Sequence, residues 1–89
     1  MKYKYFMPDY DEAAADAVPI MGWRGGEKID VKCFDKSDAA QEAAEHYRSN
    51  RDTEWNEGTR RFGIVDESGA VTVWDVEIEF VPSFAATER

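Results

Sequence analysis

The chain has 89 residues and carries 11 Lys and Arg against 19 Asp and Glu, a formal net charge of −8. A chain of this length forms one domain that buries roughly 60–65% of its unfolded surface and has no room for two cores. The charge argues against direct contact with nucleic acid or an anionic membrane and favours a basic partner; Cys33 is the single cysteine, so no internal disulfide and no cysteine-based zinc site can form within one chain.

Tyr3, Tyr5 and Met7 alternate with Lys2, Lys4 and Phe6, which predicts a half-buried strand ending at Pro8. Pro8, Asp9, Asp11 and Glu12 follow at once, so this start lacks the apolar run of a signal peptide, and an intracellular protein is expected. Residues 9–18 can make a short helix capped by Asp9 or Asp11 and stopped by Pro19. Residues 20–27 read as a loop around one large aromatic, Trp23, which is either packed or used for contact. Ile29, Val31 and Cys33 then alternate with Asp30, Lys32 and Phe34, a second short extended segment.

The clearest local prediction is a helix over residues 37–50, with Ser37 as its N-cap and Asp38 near the positive end of the dipole. Ala39, Ala40, Ala43, Ala44 and Tyr47 line one face, and small alanines let a helix lie close on a sheet. Arg48 and Arg51 suit the negative C-terminal end, and Asn50 is a plausible stop. Residues 51–60 form a polar loop in which Asp52, Glu54 and Glu57 surround Trp55.

A closing hairpin is predicted from residues 61–66 and 70–81, joined by Asp66-Glu67-Ser68-Gly69. In its second strand Thr72, Trp74, Val76, Ile78 and Phe80 share one face by the period of two, and Asp75, Glu77 and Glu79 share the other. Pro82 ends that strand, and residues 82–89 are expected to fray. The expected fold is a single α+β domain: a small antiparallel sheet of three to four strands with one main helix packed on one face.

Chemistry is hard to assemble from these residues. His46 is the sole histidine, and no nucleophile motif surrounds Cys33 or any serine. Glu42 and His46 stand four apart on one helix face, but the paired histidines of a zincin are absent, so an ordinary side-chain contact is the better reading. Gly22-x-x-Gly25-Gly26 lacks the lysine of a phosphate loop and reads as a turn. Asp9-x-Asp11-Glu12 lacks the glycine and distant glutamate of a calcium loop. No catalytic residue, metal ligand or cofactor site is therefore predicted.

The acidic row remains. Alternate strand residues place Asp75, Glu77 and Glu79 about 6.6 Å apart on one side of a sheet, the order of the phosphate spacing along a nucleic-acid strand. Lys2, Lys4, Arg60 or Arg61 on neighbouring strands could neutralise the row locally. Because 11 bases cannot neutralise 19 acids, a surplus is left for a partner, with Glu54, Trp55 and Glu57 of the adjoining loop as further candidate contacts.

Ala43-Ala44-Glu45-His46-Tyr47 and Glu79-Phe80-Val81-Pro82-Ser83-Phe84 resemble stretches of small reading frames of phages and prophages, a likeness covering roughly residues 33–87. In length and acidity the chain also resembles phage-encoded inhibitors of host defence, the anti-CRISPR and anti-restriction proteins, several of which are DNA mimics. Those inhibitors share no signature, so no functional residue is carried over. The resemblance implies a non-enzymatic inhibitor in the cytoplasm of a bacterial host, occupying a basic nucleic-acid-binding surface of a defence complex. The rival expectation is a phage or prophage interaction module whose aromatics, Trp23 and Trp55, make the contact.

Overall fold

In the computed structural model, which describes residues 2–55, 57–79 and 83–89, the predicted hairpin is the centre of the molecule. β5 (Thr59–Val65) pairs antiparallel with β6 (Val71–Glu79), with Phe62 opposite Trp74 and Arg61 opposite Asp75. The turn is closed by Asp66, whose Oδ1 accepts the backbone N–H groups of Ser68 at 2.9 Å and Ala70 at 3.0 Å. The Ser68 hydroxyl, with these backbone donors, holds the Asp66 carboxyl below its ordinary range.

β1 (Lys4–Phe6) lies on the far side of β5, and the two-residue β2 (Val18–Pro19) pairs with β1. On the other flank, β7 (Ser83–Glu88) pairs with β6 along its whole length. The main sheet is therefore five strands in the order β2-β1-β5-β6-β7, larger than the three to four expected. The expected frayed tail is an ordered edge strand, because Phe84 and Ala86 pack against the core once they lie beside β6. The predicted end of β6 at residues 80–82, and Phe80 as a core residue, lie outside the described residues.

The helix α1 runs Lys36–Asn50, one residue longer than predicted, and its N-cap is Asp35 rather than Ser37. The Asp35 carboxylate accepts the Asp38 N–H at 2.8 Å while the Asp38 carboxylate accepts the Phe34 N–H at 3.0 Å, a reciprocal lock that a serine two residues later cannot supply. The alanine stripe faces the sheet as expected: Ala39, Ala40, Ala43, Ala44 and Tyr47 are buried against Tyr5, Phe62, Ile64, Trp74, Val76 and Ile78.

Between β1 and α1 the chain departs from expectation. Residues 9–18 form two separate 3-10 turns, Pro8–Tyr10 and Ala14–Asp16, rather than one helix. Too few apolar residues lie on one face to repay helix nucleation, and Asp16 instead bonds back to the Ala13 N–H. The expected loop at residues 20–27 is mostly strand: β3 (Met21–Arg24) and β4 (Glu27–Asp30) make a second, two-stranded sheet. Gly25 and Gly26 form its turn with φ of 58° and 84°, the pair of positive values that a two-residue hairpin loop of matching twist demands. Ile20 ties this hairpin to the main sheet, donating its N–H to Tyr3 and accepting that of Val31. The side chain of Trp23 lies outside the described residues.

One close approach fixes the opposite face of the sheet. A Cβ on Gly63 would stand 2.3 Å from the ring of Phe6, the residue opposite it on β1, so the ring lies across the bare glycine backbone.

Candidate functional site

β6 has β5 on one side and β7 on the other, so its outward-facing residues lie on an interior strand of the face opposite the helix. At Asp75 the neutralisation foreseen from the sequence takes place. Arg61 Nε is 3.5 Å from Asp75 Oδ1, and Arg89 Nε is 3.3 Å from Oδ2. Arg61 also reaches Asp9, with Nη1 3.2 Å from Oδ1. The other suggested neutralisers do not take part. Arg60 points to the helix side, 5.6 Å above the Trp55 ring and 3.7 Å from Asp52, Lys2 pairs with Asp30, and Lys4 faces Val65 and Pro19. Arg89 was missed because it ends the stretch expected to fray.

Glu77 is different. Its cross-strand neighbours are Thr59 on β5 and Ala85 on β7, it is exposed, and it forms no ion pair among the described residues. Glu57 joins it, because the Gly58 carbonyl accepts the Ile78 N–H at 3.3 Å and so holds residue 57 beside the end of β6. Glu57 and Glu54 are both exposed and also lack an ion pair among the described residues, but no bond ties Glu54 to β6. Glu79 belongs to β6, and its side chain lies outside the described residues. The row thus holds one internally paired carboxylate, Asp75, and a Glu77 that, with Glu57 near it, has no ion pair among the described residues.

Trp55, expected as a contact residue, is only 2% exposed. The loop after the helix folds back over the helix end: Arg48 Nε donates to the Trp55 carbonyl at 2.8 Å, and the indole N–H donates to the Gly58 carbonyl at 3.3 Å. Its ring then stacks in the core among Tyr47, Phe62 and Phe84 at centroid distances of 5.6–6.1 Å. Trp55 therefore builds the inner core and does not face a partner. Among the described residues the most exposed aromatic is Phe34, 97% accessible, whose backbone is held by Asp38. It sits beside a shallow groove lined by Tyr3, Lys36, Trp74 and Glu88. The alternation at residues 29–34 placed Phe34 opposite Cys33 in direction, and that was its only signal.

The residues weighed for catalysis have geometry of another kind. Burial, with nearby carboxylates, pushes the Cys33 thiol up to about 11, so at neutral pH it is protonated and a poor nucleophile. His46 Nδ1 is 2.7 Å from the Tyr5 hydroxyl, its Nε2 is shielded from solvent, and burial with the charges of Lys28 and Arg51 lowers its pKa below the ordinary value. It borders a cleft of about 360 Å³ with Lys28, Glu42, Glu45 and Ser49. Burial, then Glu45 and Asp38, raises the Glu42 carboxyl. Among the described residues no group of three or more His, Cys, Asp or Glu is placed to hold a metal ion. Nor, among them, is any helix long and apolar enough to cross a membrane.

No family model, no curated protein and no solved structure matches this chain.

Proposed function

We propose that this protein is a non-enzymatic, acidic interaction protein that occupies a basic nucleic-acid-binding surface on a partner, in the manner of the phage-encoded anti-CRISPR and anti-restriction inhibitors it resembles. Its workplace is then the cytoplasm of a bacterial host, and binding itself is the activity. The observation that carries this reading is Glu77: an exposed carboxylate on an interior strand of the sheet, flanked by Thr59 and Ala85 and without a basic partner among the described residues. Holding like charges together on a sheet is unfavourable unless something compensates. Asp75 is compensated internally by Arg61 and Arg89, whereas Glu77 and Glu57 have no ion-pair partner among the described residues, and their compensation is left to a partner. Lysines and arginines that normally grip phosphate are suitable counter-charges, and the protein acts there as a phosphate stand-in.

The test is affinity capture from bacterial lysate by the parent and by a folded Glu57→Lys/Glu77→Lys variant, each across a salt series. Capture of a nucleic-acid-binding protein by the parent, weakened by salt and lost in the variant, supports the reading. Equal capture by both overturns it.

One observation favours a second reading. Phe34 is exposed at 97% beside a shallow groove, the form of an aromatic anchor, which keeps open a phage interaction module whose contact is led by aromatics. On that reading Phe34→Ala abolishes capture, and salt hardly alters it.

A further inference from the structure

The phase of the β6–β7 ladder is set by one bond, in which the Arg89 N–H donates to the Val73 carbonyl at 2.9 Å. With Trp74 opposite Glu88 and Glu77 opposite Ala85, bonded and non-bonded pairs must alternate along the strands. The backbones of residues 83, 85, 87 and 89 therefore turn toward β6. Those of Phe84, Ala86 and Glu88 turn their N–H and C=O groups away from it. β5 agrees, since the Ile78 N–H bonds to Gly58 and even-numbered β6 residues bond on that side. β7 ends the sheet, and among the described residues no strand lies beyond it. Sheets usually guard such an edge with charged side chains, proline or a bulge, and the sequence of β7 carries one charge, Glu88 in its last position, and no proline.

Resting on the acidic-surface reading above, we infer that β7 receives an extended, lysine- or arginine-bearing segment of the partner as a sixth strand, hydrogen-bonded to Phe84, Ala86 and Glu88, with its basic side chains reaching Glu77. Strand spacing places an added strand about 9–10 Å from β6, and the β7 residue directly opposite Glu77 on the outer face is Ala85, whose side chain is a single methyl. A lysine or arginine on the outer face of the new strand spans that gap across Ala85, its methylenes on the methyl and its charge at Glu77. On the helix side the neighbours are Phe84 and Ala86, so apolar residues suit the alternate positions of the segment. A second copy of this chain fits less well. Its own β7 carries Glu88 and no lysine, Arg89 is already engaged by Asp75, and each copy adds a charge of −8. Main-chain bonds then hold the segment, while alternate side chains select it.

The experiment follows amide hydrogen exchange by NMR as a capped peptide of alternating lysine and valine is added to the whole protein, with an alternating glutamate and valine peptide as control. At lysine peptide about ten times its Kd, exchange at Phe84, Ala86 and Glu88 slows roughly tenfold, and the control has no effect. Ala86→Pro removes an outward N–H and no bond to β6, so it abolishes binding, while Ala86→Ser retains it. If the proline variant does not fold, the exchange pattern of the parent carries the test. Salt-sensitive binding that Glu77→Lys abolishes, without slowing at the three amides, overturns the strand inference and leaves the acidic-surface reading standing. Slowing that persists undiminished in Glu77→Lys overturns the acidic-surface reading and the choice of a basic occupant. Slowing without peptide that grows with protein concentration makes the occupant a second copy and overturns the inference, and absence of any binding overturns both readings.

Discussion

The two faces of β6 obey the same period of two, yet they are held by forces of different size. On the helix side, Trp74, Val76 and Ile78 are 8%, 0% and 8% exposed and share a core with Tyr5, Tyr47, Trp55 and Phe62. Each such side chain contributes about 1.5–3 kcal/mol by leaving water, so this face decides whether the chain folds. On the open side, Asp75 is held by two arginines at 3.3–3.5 Å in partly solvated contacts, each worth about 0.2–1 kcal/mol. The inner face thus fixes the shape, and the outer one can change its charges at little cost to the fold. That freedom is what a binding surface requires.

Mutations separate the faces, beginning with the largest effect. Phe62→Ala empties a fully buried site in contact with Tyr5, Tyr47 and Trp55, and is expected to cost about 3–5 kcal/mol in urea unfolding, a large part of the stability of so small a domain. Gly63→Ala breaks the comparison, because it is an outer-face change with an inner-face cost: its methyl must displace the Phe6 ring, at about 1–3 kcal/mol. Asp75→Asn releases Arg61 and Arg89 and is expected to cost about 0.2–1 kcal/mol by the same measurement. Glu77→Lys should change stability by no more than about 0.5 kcal/mol while reversing the charge that the partner meets.

Acidity offers a further check on the helix side. The folded-state pKa of His46 lies below its ordinary value of 6.5 through burial, with Lys28 and Arg51 adding to the effect, so the unfolded chain takes up the proton first. Stability from neutral His46 is present above the unfolded value and lost as pH falls from there through the folded value. Urea midpoints measured on either side of that window should fall with acidification less in His46→Gln than in the parent.

Strong local patterns made part of this architecture legible in the sequence. The alanine stripe from Ala39 to Ala44 and the alternation from Thr72 to Ile78 mark the helix and the inner face directly. Other features depend on contacts made at a distance. Trp55 sits in a run of polar residues with no periodicity, and only the return of residues 51–58 over the helix end, fastened by Arg48, carries it inward. β7 follows Pro82 and is short in strong strand formers, so its order comes from pairing with β6. The N-cap moved from Ser37 to Asp35 because the reciprocal bonds with Asp38 outweigh a single hydroxyl. Of the candidate site, the acidic alternation could be read from sequence. The split between a neutralised Asp75 and a Glu77 without an ion pair among the described residues could not, since it depends on Arg61 and Arg89 flanking one position and Thr59 and Ala85 the next.

The measurement that bears most directly on the outer face is competition on the captured partner: the complex is formed at low salt and titrated with the nucleic acid that the partner itself binds. If Glu77 and its acidic neighbours stand in for phosphate, nucleic acid displaces the protein in full, and Glu77→Lys is displaced at lower nucleic-acid concentration than the parent. A ternary complex in which protein and nucleic acid sit on the partner together, each at full occupancy, would contradict the account.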